Sequence, residues 1–212
     1  MSSKYRSKDN EKNPALKIRD FYSFSLQILN EINYARMHPD EFAQKLEELK
    51  NTITDDNCLY IEGLPFLYKD LKIALDESIE FLQNQEKLPG LIYNRTISQA
   101  CDYLLDELII HDGIDDANEK KYSIESRLNK FGEPLGEIHE LIDYGMFSPE
   151  FIVINFILCD ADPQKYERNV LFNPKIKHIG IASSLLPSEK ICTVINFCEE
   201  FYDKYETIPL EM

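Results

Sequence analysis

Tryptophan is absent from this chain of 212 residues, and glycine occurs only seven times. Neither a glycine-rich phosphate loop nor a G-x-S-x-G nucleophile elbow is present, which removes the usual signatures of nucleotide binding and serine hydrolysis. Positive charge is scarce as well: 23 Lys and Arg stand against 38 Asp and Glu, a formal charge of −15. Such a surface repels nucleic-acid phosphates and anionic headgroups, and the short pair Lys120-Lys121 sits among acids, so nucleic acid is not an expected partner. No stretch reaches the roughly 18 apolar residues of a membrane span. The opening residues 1–12 lack the apolar centre of a secretory signal, which makes the cytoplasm the default location. Cysteines are odd in number, and Cys58, Cys101, Cys159, Cys192 and Cys198 mostly lie in apolar segments; they read as reduced core thiols. None has the accessible, electropositive setting of a thiol nucleophile.

What is present is globular. Hydrophobic residues make up 43% and aromatics 11%, enough to bury a substantial core. Residues 1–20 read as a mobile polar arm, 21–205 as one domain and 206–212 as a tail. Leu26, Leu29 and Ile32 fall at helical spacing, and His38-Pro39-Asp40-Glu41 restarts a helix with proline in its first turn and acids at its positive end. Phe42, Leu46 and Leu49 form the apolar stripe of that second helix. Residues 50–62 read as loop, and Gly63 opens a segment where Leu67, Leu71, Leu75, Ile79 and Leu82 predict one long helix. Asn94 caps a helix with Ile97, Cys101, Leu104, Leu105 and Leu108 inward, ending near His111. A short helix over 124–131 stops at Gly132, and a strand follows over 136–144. Ser148-Pro149-Glu150 starts an apolar, buried helix, and a short helical piece begins at Asp162-Pro163. Residues 178–184 and 191–201 read as buried strands. This order predicts helices on both sides of a mainly antiparallel sheet.

Several motifs stand in a fixed order: Asn30-Glu31-Ile32-Asn33-Tyr34-Ala35-Arg36 with Pro39, Phe42-Ala43 and Leu46; His111-Asp112-Gly113; Ser126-Arg127-Leu128; Gly136-Glu137-Ile138; Glu167-Arg168-Asn169-Val170-Leu171; Ile179-Gly180-Ile181-Ala182; and Thr193-Val194-Ile195-Asn196-Phe197. Together they resemble the CAP superfamily, the SCP-like domains of cysteine-rich secretory proteins, antigen 5 and pathogenesis-related proteins, in its protist-type form. The resemblance implies a three-layer α-β-α sandwich. It also implies a cleft carrying two histidines and two acids, which fall on His111, Glu137, Asp160 and Glu167. The second family histidine is replaced by Glu167, and the asparagine after the Gly-Glu pair by Ile138. Most family members are secreted and disulfide-bonded, so secretion stays open despite the cytoplasmic default.

Two histidines with acids suit Zn²⁺, whereas one nitrogen with three carboxylates suits Mg²⁺, Mn²⁺ or Ca²⁺. Without a cation, converging carboxylates predict raised pKa values and a protonated His111 between them. Glu137 and His139 share one face of a strand, so His139 reads either as a substitute ligand or as an ordinary exposed or core-edge histidine. Against these readings, His111 caps a helix end equally well, Glu167 and Arg168 form a solvated pair, and Asp160 pairs with Arg168. The acids of 112–118 lack the glycine and terminal glutamate of a calcium loop. By resemblance the chain is a binding or interaction module for a sterol, another lipid or a protein; the alternatives are a metal- or His-assisted hydrolase and a non-catalytic scaffold.

Overall fold

The computed structural model describes residues 13–53, 57–110, 123–160 and 162–204, and of residue 111 its helical backbone alone. In chain order the elements are α1 (Phe21–Met37), α2 (Pro39–Lys50), β1 (Cys58–Ile61), β2 (Leu64–Leu67), α3 (Leu71–Asn84), β3 (Ile92–Tyr93), α4 (Arg95–His111), α5 (Ile124–Phe131), β4 (Gly132–Tyr144), α6 (Pro149–Leu158), α7 (Tyr166–Leu171), β5 (His178–Leu185) and β6 (Ile191–Asp203). Residues 13–20, expected within the polar arm, include a short turn at Pro14–Lys17 that Asn13 caps, and Ala15 is buried in the main core.

Four strands form the central sheet in the order β3-β5-β6-β4, with only the β3–β5 pair parallel. Side chains alternate across β6 and supply both of its faces. Ile191, Ile195 and Phe197 join α1, α2, α3 and α6 in the larger core. Cys192, Val194 and Cys198 turn the other way, against α4 and α5. Each fully buried Leu, Ile or Phe contributes about 1.5–3 kcal/mol by leaving water, so the two cores hold a helical layer on each face. This is the α-β-α sandwich that the element order predicts.

Local chemistry explains the boundaries. His38 closes α1 and opens α2, with Pro39 in the first turn and Asp40 and Glu41 at the positive end. Asn94 Oδ1 accepts the Ile97 N–H at the start of α4, and Ser123 caps α5. Ser148-Pro149-Glu150 opens α6, which is apolar around its circumference and has six buried residues.

The long helix expected from Gly63 is a correction. Glu62 and Gly63 have φ of 46° and 82°, the positive pair that a two-residue hairpin turn requires. The chain therefore folds back as β1–β2, with Leu67 on an exposed outer face, and α3 begins only at Leu71. Apolar spacing of four continued from helix into strand and hid the turn. The expected helix start at Asp162 is likewise a turn. Its carboxylate accepts the N–H groups of Gln164 and Tyr166, and α7 begins at Tyr166.

Candidate functional site

The site is built on β4 where its ladder is irregular. Leu135 faces Glu200 and Ile138 faces Cys198, so Gly136 and Glu137 together oppose Glu199. The Glu137 N–H donates to Glu199 Oε2 at 3.2 Å. Beyond this bulge Glu137 and His139 fall on one face, with His139 Nε2 3.5 Å from Glu137 Oε2. The other ring nitrogen, Nδ1, lies 3.2 Å from the hydroxyl of Tyr166 at the start of α7. A row Glu137–His139–Tyr166 thus joins the sheet to the helix.

Two buried arginines fix the other side of this row. Arg168 donates from Nε to the Ile157 carbonyl at 2.6 Å and from Nη2 to Ser78 Oγ at 2.8 Å and the Leu158 carbonyl at 3.3 Å, pinning α7 to the end of α6. Arg36 donates from Nε to Pro89 and from Nη1 to Leu171 and Asn173, all at backbone carbonyls. Burial pulls its guanidinium down to about 10. Carbonyls that close α7 and the following turn are thereby satisfied without water. The clamp holds Asn173, whose Nδ2 donates to Glu137 Oε2 at 2.7 Å, and Lys175, whose Nζ reaches Oε1 at 2.5 Å.

Sequence reasoning placed Glu137 among like charges. Its neighbours are instead Lys175, Asn173 and His139, whose hydrogen bonds hold its carboxyl at about 2, well below the usual range. The expectation of a raised carboxylate at this position is therefore reversed.

The other residues expected in the cleft have separate partners. Asp160 lies past the end of α6 and accepts the N–H groups of Lys69 at 2.5 Å and Asp70 at 3.0 Å, receiving the chain as it enters α3. Its expected pairing with Arg168 is replaced by the carbonyl contacts above. Glu167 Oε2 lies 3.0 Å from Cys159 Sγ, which is also 2.8 Å from the Phe156 carbonyl oxygen and accepts the Arg168 N–H at 3.4 Å. Arg168 is buried, so Glu167 and Arg168 are not the solvated pair of the sequence reading. The side chain of His111 lies outside the described residues. Glu137 alone of the three described carboxylates reaches the row.

Among the described residues no group of three or more His, Cys, Asp or Glu stands together as ligands. The Glu137 oxygens are taken by an ammonium and an amide. Nor is a thiol poised for attack: burial pushes Cys159, Cys192 and Cys198 up to about 12, and Cys101 rises for the same reason. His38 sits 3.2 Å from Glu41 on an exposed helix joint, and His178 Nε2 lies 3.7 Å from Glu200.

Tyr166, Asn173, Lys175 and Arg36 were not predicted as site residues. Tyr166 adjoins the Glu167 motif, which is a usable signal. Asn173 and Lys175 lie in a turn after α7, where no periodicity reports a neighbour.

No family model matches the chain, and no curated protein sequence does. Solved structures resemble it, two of them as follows. An outer surface protein from Borrelia burgdorferi is 17% identical, with a TM-score of 0.45 over 61% of this chain and 92% of that one. An extracellular protein containing a SCP domain from Bacillus anthracis is 12% identical, with a TM-score of 0.41 over 61% of this chain and 39% of that one. At these identities and scores neither likeness bears on function.

Proposed function

We propose that this chain is a CAP-like binding module without catalysis, whose partner is a protein contacted through Glu137, His139 and Tyr166. The observation that supports this reading is the His139 ring, half-buried between a carboxylate on β4 and a phenol on α7. Each member is held by the surrounding scaffold, and Tyr166 is 45% exposed, so the row offers a fixed aromatic and polar surface. A carboxylate neutralised by Lys175 and shifted down to about 2 is a poor general base near neutral pH. That argues for recognition over hydrolysis. One described groove is no place for a sterol or fatty ligand. The groove between α2 and α3, about 500 Å³, is lined by Glu47, Lys50, Asp76, Glu80 and Gln83 with Ile79, a charged wall unsuited to an apolar guest.

The test places a photocrosslinking side chain at position 166, with the exposed Tyr202 as the control position. A protein captured at 166 but not at 202, and lost with Glu137→Gln, supports the reading. Saturable uptake of radiolabelled cholesterol by the delipidated protein would redirect it to lipid. Cation-dependent casein hydrolysis that disappears with His139→Ala would sink it.

A further inference from the structure

β4 ends the four-stranded sheet, with β6 as its only strand neighbour among the described residues. The direction in which its backbone groups point follows from β6. The Ile191 carbonyl accepts from Gly145 on the β4 side, whereas the Lys190 carbonyl accepts from Leu186 on the β5 side. Odd residues of β6 therefore turn their backbone toward β4 and even ones toward β5, because N–H and C=O of one strand residue point the same way. In the observed register Phe197, Ile195 and Thr193 face His139, Leu141 and Asp143. These pairs share the ladder bonds. The backbone groups of Ile138, Glu140, Ile142 and Tyr144 point out of the sheet, and no hydrogen bond from a described residue reaches them.

Such an edge is a template for another strand, and folded proteins commonly shield it with proline, an unpaired inward charge or a covering helix. Along residues 138–144 no proline stands, and the bulge lies before Ile138. The inward acid of the stretch is Asp143, buried on one face, and Glu140, which points to the opposite, α5 face, is paired with Arg127. Helix α5 packs on that face through this pair, and Tyr166 of α7 stands on the other beside His139. The edge is thus flanked by α5 on one face and by Tyr166 on the other. Exposed Leu135 and Tyr144 mark its two ends.

We propose that residues 138–144 of β4 dock an extended, lysine- or arginine-bearing segment of a partner protein, which adds a fifth strand to the sheet. Charge selects this occupant. The chain carries −15, and β4 itself holds Glu133, Glu137, Glu140 and Asp143 against a single His139. Arg127 and Lys175 offset two of these acids, and Glu133 remains exposed. A second copy is disfavoured, since pairing two β4 edges brings together two chains that each carry −15. The inference stands on backbone geometry and does not depend on the Glu137–His139–Tyr166 row.

The probe is a short synthetic peptide alternating lysine with valine, followed by amide hydrogen exchange. In the free protein the amides of Glu140, Ile142 and Tyr144 exchange quickly while those of Leu141 and Asp143 are protected. The peptide is expected to slow the first set at least about tenfold, a change that electrostatic attraction alone does not produce. A peptide of equal charge, N-methylated at alternate amides, is expected to bind at least about tenfold more weakly, or about 1.4 kcal/mol. Ile142→Pro, which removes an outward N–H and no ladder bond, weakens the peptide similarly. Its exchange pattern at Leu141 and Asp143 reports whether β4 still pairs with β6. Equal affinity for the methylated peptide, or no slowing at the three outward amides, overturns the proposal. So does a doubling of solution mass that protects those amides without peptide. Loss of binding in Glu137→Gln with retained peptide protection separates failure of the row from failure of the edge.

Discussion

His139 and Tyr166 meet across the junction of sheet and helix, with Nδ1 3.2 Å from the phenol oxygen and the two rings at 61° to one another. Neither residue is buried, so the contact contributes little to folding while fixing both rings. A double-mutant cycle of His139→Ala and Tyr166→Phe is expected to give a coupling of about 0.5–1 kcal/mol in urea unfolding. A coupling indistinguishable from zero would show that the two rings are not joined in solution.

The buried arginines act on a larger scale. Arg168→Met strands the Leu158 carbonyl and takes one bond each from the Ile157 carbonyl and the Ser78 hydroxyl, which keep their bond to one another and the one to Ala74. Each buried acceptor left unpaired costs about 1–3 kcal/mol. The variant is expected to lose about 1–3 kcal/mol in chemical denaturation. Arg36→Met carries a similar loss and also releases Asn173, so the Glu137 carboxyl rises from about 2 toward its ordinary range. Carboxyl carbon shifts followed by NMR over a pH series check that coupling.

The Arg36 and Arg168 positions also show where the sequence was legible. Both lie in motifs, and both side chains do backbone work that a motif does not announce. The restart at His38-Pro39, the helix start at Ser148-Pro149 (where Ser148 makes no side-chain capping bond) and the apolar strands β5 and β6 could be read because local propensity and burial agree there. The β1–β2 hairpin could not, because Leu67 continues the spacing of α3 into an exposed strand position. The surroundings of Asp160 and Glu167 were hidden for a different reason. Their partners, the amides of Lys69 and Asp70 and the thiol of Cys159, are set by tertiary packing. Glu137 and His139 shared a face as period-2 alternation requires, while Lys175 came from a turn that alternation does not reach.

Close packing at Gly180 is a second sensitive point. This residue of β5 lies beneath the first turn of α4, and a Cβ there would strike the Ser98 N and the Ile97 carbonyl carbon. The obstruction is backbone, which no side-chain rotation relieves. Gly180→Ala must lift α4 from the sheet, opening the core of Ile97, Ala100, Leu128, Cys198 and Phe201. A loss of about 1–3 kcal/mol is expected, as for overpacking elsewhere. Thermal unfolding of the variant measures it, and an unchanged midpoint would mean that α4 sits farther from β5.

The last prediction concerns acid. Asp143 is buried on β4, with the Met146 N–H donating to its Oδ2 at 3.1 Å, and Tyr68 and Cys192 are its titratable neighbours. Burial raises its carboxyl to about 6, only partly opposed by the Met146 hydrogen bond. The folded state therefore holds this proton more tightly than the unfolded chain does. Its contribution to stability is complete below about pH 4, the ordinary carboxyl range, and is lost as pH rises through 6. At pH 8 the buried carboxylate costs about 3 kcal/mol by this linkage. Asp143→Asn retains an acceptor for Met146 without the charge, so it is expected to gain about that much at pH 8 and little at pH 4. Urea midpoints of both proteins across this range decide the matter: parallel curves would show that Asp143 titrates in the folded protein as it does in the unfolded chain, and that the site is open to water.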